Sequence, residues 1–311
     1  KKLSARELEE LSRGYVRAFF EVLGPEKDVP APDVNTNAQI MDWMGAEYSA
    51  QCRMKNVECR NWLATFTGKS IGNGGSEGRN EATGYGGFVV LEELLKIKNE
   101  LTVAVQGFGN VGYYFAHHAH KAGYKLIALS DSQGAILDKR GLGMNPENVL
   151  HTKKERGLIG GCYCIGTVCD CENYTEISNE ELLELPVDVL VPAALEGVIH
   201  EKNAPNLKTK LILEMANGPT TPEAERVLLE RGVTIVPDVL ANAGGVVTSY
   251  FEWKQNMEQE TWNKEQVLNK LKTTMERAFE KVSRTAKELN TDLRTAAYAL
   301  ALKKIKAAMR A

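Results

Sequence analysis

The chain has 311 residues, of which 43% are hydrophobic and 25% are charged, and its formal net charge is -3. This length exceeds one typical hydrophobic core and predicts two domains. Acidic and basic residues are interspersed and no apolar run is long enough to span a bilayer, so the composition predicts a globular protein with neither a nucleic acid nor a membrane as partner.

The first predicted element is a helix. Ser4 and Glu7 fit a capping box at its start, and the pair Gly24-Pro25 is expected to end it. Apolar residues recur along it at helical spacing, at Leu8, Leu11, Tyr15, Phe19 and Val22.

A stiff loop with one acid precedes the second helix, which is predicted from Ala38 to about Tyr48. The loop reads VPAPDVNTN and places Asp33 directly behind Pro30 and Pro32. Prolines fix φ, so this acid is held in a defined position. From these residues alone, Asp33 fits either a turn or N-cap residue of the following helix or a positioned catalytic group.

The glycine-rich stretch from Thr67 to Gly87 predicts a flexible connection or a backbone that a ligand approaches closely. From Leu101, short apolar runs alternate with helical segments. This pattern predicts parallel strands, buried on both faces, in a doubly wound α/β domain. The predicted strands are LTVAVQGF, KLIALSD, VDVLVPAA, KLILEMAN and VTIVPD. From about Gly244 onward only helices are predicted, either as a cap or packed back on the N-terminal domain.

The strongest local motif is GFGNVG, which follows the first predicted strand of this domain and opens a helix. Gly107 suits the tight turn, Gly109 lets the backbone approach a pyrophosphate, and Gly112 allows close packing of helix and strand. The predicted dinucleotide contacts in the motif are Gly107, Phe108, Gly109, Asn110, Val111 and Gly112. Asp131 ends the next strand and can accept the ribose hydroxyls, which favours NAD, although the neutral residues around it leave NADP open.

Several motifs in one order resemble a known family. They read PAPDVNTN, TGK, GGSEGRNEATGYGG, VAVQGFGNVG, LSDSQG, VPAALEG, MANGPTTPEA and PDVLANAGGVVTSYFEW. From Lys1 to its last residue the chain is similar to the hexameric glutamate dehydrogenases of the Glu/Leu/Phe/Val dehydrogenase superfamily.

The resemblance implies an α/β fold with a Rossmann-like doubly wound parallel sheet and an incomplete substrate and oligomerisation domain. The expected division is residues 1–70 for the remainder of that domain, 71–245 for the nucleotide-binding domain, and 246–311 for helices returning to the N-terminal domain. The resemblance also implies a cytoplasmic homo-hexamer that deaminates L-glutamate reversibly to 2-oxoglutarate and ammonium with NAD or NADP.

Particular residues match functional positions of the family. Asp33 matches the catalytic acid that relays a proton to and from the substrate amino group. Asn242 matches a position near the reacting centre, and Ser249 matches a serine that binds the substrate side-chain carboxylate. The implied cofactor contacts also include Thr83, Ala193, Ala194, Asn217 and Asn242. Taken one at a time, Thr83 fits an N-cap, Asn242 a loop entering a helix, and Ser249 a buried helix serine.

The family also uses a lysine of depressed pKa in a GGGKGG-type segment, which would be the partner of Asp33. This segment is not in the sequence, and the family places it shortly before the equivalent of Lys1, so a truncated chain with exposed apolar faces on its first and last helices is expected. Lys69 matches a different family position. Two alternatives remain open: a sister dehydrogenase acting on Leu, Val or Phe, and a non-catalytic nucleotide-binding subunit.

Six cysteines without secretory features predict a reducing compartment, where thiols stay free or bind metal. Four of them lie in GCYCIGTVCDCEN, where a turn at Gly166-Thr167 would bring the thiols to one face of a hairpin. These are Cys162, Cys164, Cys169 and Cys171. They could hold a structural zinc ion, form two cross-strand disulfides, or remain free. The other two, Cys52 and Cys59, are expected to be structural.

Overall fold

The structure, a computed structural model, describes residues 3–33, 35–96, 100–160, 163–166 and 168–309. Contacts between residues divide it into two compact units. The first comprises the residues up to Ala82 together with Gly245–Leu271, and the second comprises Thr83–Gly244 with the residues from Lys272 onward. The last helices are therefore shared between the two units, and the predicted division at residues 70 and 245 stays a prediction.

The first unit is helical. Its early helices are α1 (Ala5–Phe19) and α2 (Ala38–Met54), and α3 (Arg79–Leu95) starts within it. The predicted capping box is confirmed, with Ser4 and Glu7 bonded to each other's backbone amides. The helix α1 ends at Phe19, before Gly24, and the amides of Val22 and Leu23 bond to the Phe19 carbonyl in the turn that follows.

The apolar stripe of α1 is largely exposed, as the sequence predicted. Leu11 is 60% exposed and Val22 is 54% exposed, whereas Val16 and Phe20 are buried against Tyr48 and neighbouring side chains. Near the end of the chain, large apolar side chains are also more than half exposed, namely Tyr298, Leu302, Ile305 and Met309.

The second unit carries the sheet. Its elements up to the hairpin are β1 (Thr102–Gln106), α4 (Asn110–Lys121), β2 (Lys125–Asp131), β3 (Gly134–Asp138), α5 (Pro146–Arg156), β4 (Tyr163–Ile165) and β5 (Val168–Asp170). Those that follow are β6 (Tyr174–Ile177), α6 (Asn179–Leu183), β7 (Val189–Pro192), β8 (Leu211–Leu213), α7 (Pro222–Glu230), β9 (Thr234–Val236) and α8 (Asp238–Ala241). The C-terminal helices are α9 (Gly244–Glu258), α10 (Lys264–Leu289) and α11 (Leu293–Ala308). No helix in the described ranges is long and apolar enough to cross a membrane.

Seven strands of the described chain form one sheet in the order β6-β3-β2-β1-β7-β8-β9. The five strands predicted from apolar runs are confirmed and lie parallel, while β3 and β6 add an antiparallel edge. The strand order reverses between β1 and β7, where Gln106 pairs with Pro192. In doubly wound sheets ligands bind beyond the carboxyl ends of the strands at such a reversal.

The glycine-rich stretch from Thr67 to Gly87 is not a flexible connection. It contains a short 3-10 turn at Ile71–Asn73, and from Arg79 it is the helix α3. Small residues here serve close packing: a Cβ at Gly84 would lie 2.5 Å from the Phe115 amide nitrogen of α4. A glycine-rich segment can thus be an ordinary helix when a neighbouring backbone lies this near.

Candidate functional site

The loop after β1 has the geometry predicted for GFGNVG. Gly107 has a φ of 97°, and a Cβ there would lie 2.8 Å from Cβ of Ala194. A Cβ at Gly112 would lie 2.0 Å from the Gly107 carbonyl oxygen, whereas one at Gly109 would meet no described atom within 4 Å. Gly107 and Gly112 are therefore required by the fold itself. The open space at Gly109 leaves its backbone accessible to a phosphate at the start of α4.

The remaining motif residues differ in exposure. The Phe108 side chain is 2% exposed, and the Phe108 amide donates to the Ser130 carbonyl at 2.5 Å. Asn110 is exposed and Val111 is half-buried in the first turn of α4. Phe108 thus anchors the loop to β2, and its buried side chain is not accessible to a ligand.

Asp131 ends β2 beside this loop and is 8% exposed. Its carboxylate accepts the amide of Gln133 at 2.9 Å, and Nζ of Lys153 lies 3.5 Å from its Oδ2. The same Nζ donates to the Phe108 carbonyl at 2.9 Å. The predicted ribose acceptor is therefore accompanied by a cation from α5, which the sequence did not suggest.

On the other side of the strand reversal, Ala193 and Ala194 follow β7 and pack against Gly107. Asn217 and Asn242 meet in the same unit, where Nδ2 of Asn242 donates to Oδ1 of Asn217 at 2.7 Å. The backbone of Asn242 fits the alternative that this residue is part of a loop entering a helix, because Asn242 is the C-cap of α8 and α9 begins two residues later. Its side chain nevertheless pairs with a second predicted cofactor contact.

Thr83 lies within α3, four residues after its start, so it is not an N-cap. It is half-buried, and the adjacent Gly84 brings its helix against the first turns of α4. The structure thus places Thr83 next to the helix that the dinucleotide motif opens.

In the first unit, the side chain of Asp33 caps no helix. The N-cap of α2 is Asn37, whose side chain accepts the amide of Ile40. The Asp33 amide donates to Oγ1 of Thr36 at 2.6 Å, and the residue is exposed. Among the described residues its carboxylate has no hydrogen-bond partner, which leaves it available for a proton transfer.

The loop that carries Asp33 is braced from behind. The Thr67 amide donates to the Pro30 carbonyl at 3.1 Å, and a Cβ at Gly68 would lie 2.4 Å from the ring of Pro32. Gly68 has a φ of 76°, so no other residue type fits there without strain. The prolines therefore pack on the segment that leads into the TGK motif, and the acid is held in place as its sequence context predicted.

Ser249 lies on α9, is 6% exposed, and has an unpredicted partner. Nε of Arg79, the first residue of α3, donates to Oγ of Ser249 at 3.3 Å. Burial lowers the pKa of the Arg79 guanidinium, and the charge of Glu252 partly restores it. A half-buried guanidinium beside a hydroxyl is a suitable site for a carboxylate.

Besides Lys153, the functional candidates that the sequence did not single out are Arg79 and Glu252. Arg79 stands within the glycine-rich motif GGSEGRNEATGYGG, and Glu252 within SYFEW. Both residues stand in motifs that resemble the family, and this position could have marked them as candidates. However, 170 residues separate Arg79 from Ser249 in the chain. One sequence without the fold does not show that pairing.

The cysteines correct the zinc hypothesis. Cys164 and Cys169 face each other across the hairpin of β4 and β5, as predicted, and they are joined in a disulfide, as are Cys52 and Cys59. Cys171 is also disulfide-bonded, while Cys162 lies outside the described residues. Sulfur atoms in a disulfide cannot serve as thiolate ligands of zinc. Within the described ranges no group of three or more His, Cys, Asp or Glu side chains is placed to hold a metal ion. The expectation of free or metal-bound thiols is likewise wrong for the paired cysteines.

The reversed strand order, the glycine loop and the acid after β2 define a dinucleotide-binding α/β protein. Comparison with known proteins gives the family. The chain matches Glutamate/Leucine/Phenylalanine/Valine dehydrogenase over residues 74–311 and the dimerisation domain of the Glu/Leu/Phe/Val dehydrogenases over residues 1–50. It belongs to this family.

Individual relatives are similar over nearly the whole chain. It is 46% identical over 310 residues to the glutamate dehydrogenase of Thermotoga maritima, and the match covers 98% of this chain and 70% of that protein. It is 43% identical to an NADP-specific glutamate dehydrogenase of Synechocystis, covering 99% and 71% of the two chains. It is also 43% identical to an NAD-specific glutamate dehydrogenase of Staphylococcus aureus, covering 100% and 72%.

Solved structures of glutamate dehydrogenases are also similar to this chain. The glutamate dehydrogenase of Peptoniphilus asaccharolyticus superposes with a TM-score of 0.80 at 39% identity, over 99% of this chain and 71% of that one. The hetero-hexameric glutamate dehydrogenase of Thermus thermophilus superposes with a TM-score of 0.87 at 33% identity, over 99% and 70%. These likenesses confirm the predicted α/β fold.

Proposed function

We propose that the protein is a glutamate dehydrogenase that converts L-glutamate, NAD(P)⁺ and water reversibly to 2-oxoglutarate, ammonium, NAD(P)H and a proton. The observation that carries this proposal is the half-buried Arg79 guanidinium bonded to Ser249 in a family that also includes leucine, phenylalanine and valine dehydrogenases. Of these four substrates, only glutamate has a side-chain carboxylate to pair with that cation.

The substrate carboxylate binds to Arg79 and Ser249. An ionised carboxylate accepts charge-assisted hydrogen bonds from a guanidinium and a hydroxyl, and these bonds strengthen when water is excluded. Leucine, valine and phenylalanine would place an apolar side chain against the half-buried guanidinium and leave it without a carboxylate partner, which is a source of discrimination. The sister-dehydrogenase alternative is therefore less well supported.

The reaction breaks the Cα–H bond of glutamate and forms a Cα=N bond, after which water adds to Cα and ammonium leaves. A bound nicotinamide supplies the hydride acceptor. Asp33 holds and moves the proton of the substrate amino group, since its exposed carboxylate is free to accept one. Asn242 orients the reacting groups together with Asn217, to which it is bonded.

The residues present fit a dinucleotide in the second unit. The open space at Gly109 and the start of α4 suit the pyrophosphate. The backbones of Phe108, Asn110 and Val111, together with Thr83, Ala193 and Ala194, line the remainder of the predicted cofactor site. Asp131 accepts the ribose hydroxyls, which favours NAD, and Lys153 at 3.5 Å allows NADP as a second cofactor.

Cofactor choice should respond to this pair of charges. Replacing Asp131 with serine removes a negative charge that would repel a 2′-phosphate, so the ratio of kcat/KM for NADP to that for NAD should rise about 10- to 100-fold. Replacing Lys153 with methionine should lower the same ratio by about 10-fold. Steady-state kinetics with both cofactors measures these ratios.

Lys154 supplies the matched control, because it is the exposed neighbour of Lys153 on α5. Lys154→Met should leave the ratio unchanged. Equal ratios in the wild-type protein and in Asp131→Ser would show that Asp131 does not contact the ribose.

A substrate profile tests the proposed activity itself. The full-length protein is supplied with L-glutamate, L-leucine, L-valine or L-phenylalanine and with NAD⁺ or NADP⁺, and reduced nicotinamide is followed by its absorbance. Glutamate should be preferred by at least about 100-fold in kcat/KM. A preference for one of the other three amino acids would assign the protein to a sister activity.

The protein is further proposed to act as a cytoplasmic homo-oligomer, a hexamer by resemblance. The relative from Thermus thermophilus is a hetero-hexamer. Exposed apolar faces on α1 and α11 support assembly, because contiguous apolar surface of this kind commonly marks an interface.

A further inference from the structure

A buried ion pair lies one helical turn beyond Ser249. Nζ of Lys69 donates to Oε1 of Glu252 at 2.7 Å, and the two side chains are 2% and 0% exposed. The other Glu252 oxygen accepts the amides of Gly68 at 2.8 Å and Ser76 at 3.4 Å. Lys69 also donates to the Phe66 carbonyl at 2.5 Å. Buried charges of this kind are costly unless they are fully paired, and this pair is.

The pair stands beside the substrate-carboxylate site. Glu252 follows Ser249 by three residues on α9, so both lie on one face of that helix. The charge of Glu252 is felt by Arg79, whose pKa burial lowers and Glu252 raises. No carboxylate among the described residues forms an ion pair with Arg79. The cluster of Lys69, Arg79 and Glu252 thus contains two cations and one anion.

We propose that Lys69 is a specificity-determining positioning residue, which neutralises Glu252 so that the charge of Arg79 remains available to the side-chain carboxylate of the substrate. Without Lys69, the buried carboxylate of Glu252, whose charge acts on Arg79, would compete with the substrate for that cation. The proposal rests on the proposed function, because it concerns the same carboxylate site. It assigns no contact between Lys69 and the substrate.

Two variants separate this charge effect from a purely structural role, in which Lys69 only holds the loop at Gly68 and Lys69 against Glu252 of α9. Lys69→Gln keeps a hydrogen-bond donor for Glu252 but leaves the cluster with no net charge. The double variant Lys69→Gln/Glu252→Gln restores one net positive charge, on Arg79, and keeps a neutral hydrogen-bonded pair. Comparison of the two variants therefore shows whether a loss of binding comes from the uncompensated charge of Glu252.

The readout is calorimetric binding of 2-oxoglutarate by the full-length protein in the presence of reduced cofactor. 2-Oxopentanoate, which lacks the distal carboxylate, serves as the comparison ligand. Lys69→Gln should raise the Kd for 2-oxoglutarate by about 10- to 100-fold with little change for 2-oxopentanoate. The double variant should recover most of this loss. Lys254→Met, on the same helix with an exposed side chain, should bind both ligands as the wild-type protein does.

The outcomes are distinct. Equal losses in the single and the double variant, or equal losses for both ligands, would mean that Lys69 only braces the loop, and the inference would be wrong. Failure of the wild-type protein to bind 2-oxoglutarate more tightly than 2-oxopentanoate would instead contradict the proposed function. Should Lys69→Gln fail to fold, the double variant alone decides, since loss of its preference for 2-oxoglutarate overturns the inference and retention supports it.

Discussion

Replacing Arg294 with alanine is expected to lower the free energy of unfolding by about 3–5 kcal/mol. The Arg294 guanidinium contacts carboxylate oxygens of Glu214 at 2.5 Å, Glu225 at 2.7 Å and Asp238 at 2.9 Å. The Glu214 side chain is 0% exposed. Removing the cation would leave that charge buried without its partner, which costs far more than a surface ion pair. Chemical denaturation followed by circular dichroism measures the loss.

The loss of stability in Arg294→Ala should depend on pH. Burial raises the pKa of Glu214, and the charge of Arg294 opposes that rise. An acid with a raised pKa in the folded state favours folding while it is protonated, and this contribution is lost as pH rises through the folded pKa. Without Arg294 the pKa of Glu214 rises further. The difference between wild-type and variant stability should therefore be larger at pH 8 than at pH 5.5.

Arg284 is the control for this experiment. Its side chain is 71% exposed and lies 3.8 Å from Glu288 one turn along α10. Arg284→Ala should change the free energy of unfolding by no more than about 0.5 kcal/mol. If Arg294→Ala also changes it by less than about 1 kcal/mol, the three-carboxylate cluster does not stabilise the fold.

The network around Arg294 continues toward the predicted cofactor contacts. Asp238, which it binds, also accepts the amide of Gly218 at 2.8 Å, next to Asn217. The Asn242 amide donates to the Asp238 carbonyl at 3.0 Å. Asp238 therefore ties the pair Asn217 and Asn242 to the first turn of α11. Arg294→Lys, which retains the charge but not the three-way geometry, should fold and yet bind NAD⁺ less tightly than the wild-type protein.

The second large effect is expected at Asp33. Asp33→Asn should lower kcat about 10²- to 10⁴-fold, with little change in the Kd for glutamate or cofactor. The amide side chain has the same shape but cannot take up the proton of the substrate amino group. The loop should keep its conformation, because Asp33 is held through its backbone by Thr36 and through the packing of Pro32 on Gly68.

Asp28→Asn is the matched control, since Asp28 is an exposed acid shortly before the same loop. It should retain wild-type kcat. Both variants are compared with the wild-type protein in single-turnover experiments, which separate chemistry from product release. Undiminished single-turnover rates in Asp33→Asn would remove Asp33 from the proton-transfer role.

Much of the sheet could be predicted because its strands are short, continuous apolar runs. The strand β6 was missed because it is an edge strand of mixed burial, without an apolar run. The strand β3 was missed because its apolar run is only three residues long and follows β2 almost directly. The exposure of apolar side chains on the first and last helices was also expected, and it is confirmed at Leu11 and Leu302.

The site was predictable where a local pattern has a direct geometric meaning. Gly107 and Gly112 are examples, since the turn and the close packing follow from their spacing. Arg79, Lys69 and Glu252 were not predictable, because their pairing joins segments that lie 170 or more residues apart. The cysteines show a different limit. Cys164 and Cys169 were correctly placed opposite each other, but opposed thiols suit a disulfide as well as a metal, and spacing alone does not decide between them.

The proposed reaction transfers the hydrogen at Cα of glutamate to the nicotinamide, and isotopic labelling of that hydrogen tests the transfer directly. The full-length protein is mixed with L-[2-²H]glutamate and NAD⁺ or NADP⁺, and the products are analysed by mass spectrometry. We expect reduced nicotinamide that carries one deuterium per molecule, formed with equal amounts of 2-oxoglutarate and ammonium. Reduced nicotinamide without deuterium, or no glutamate-dependent reduction with either cofactor, would contradict the proposed reaction.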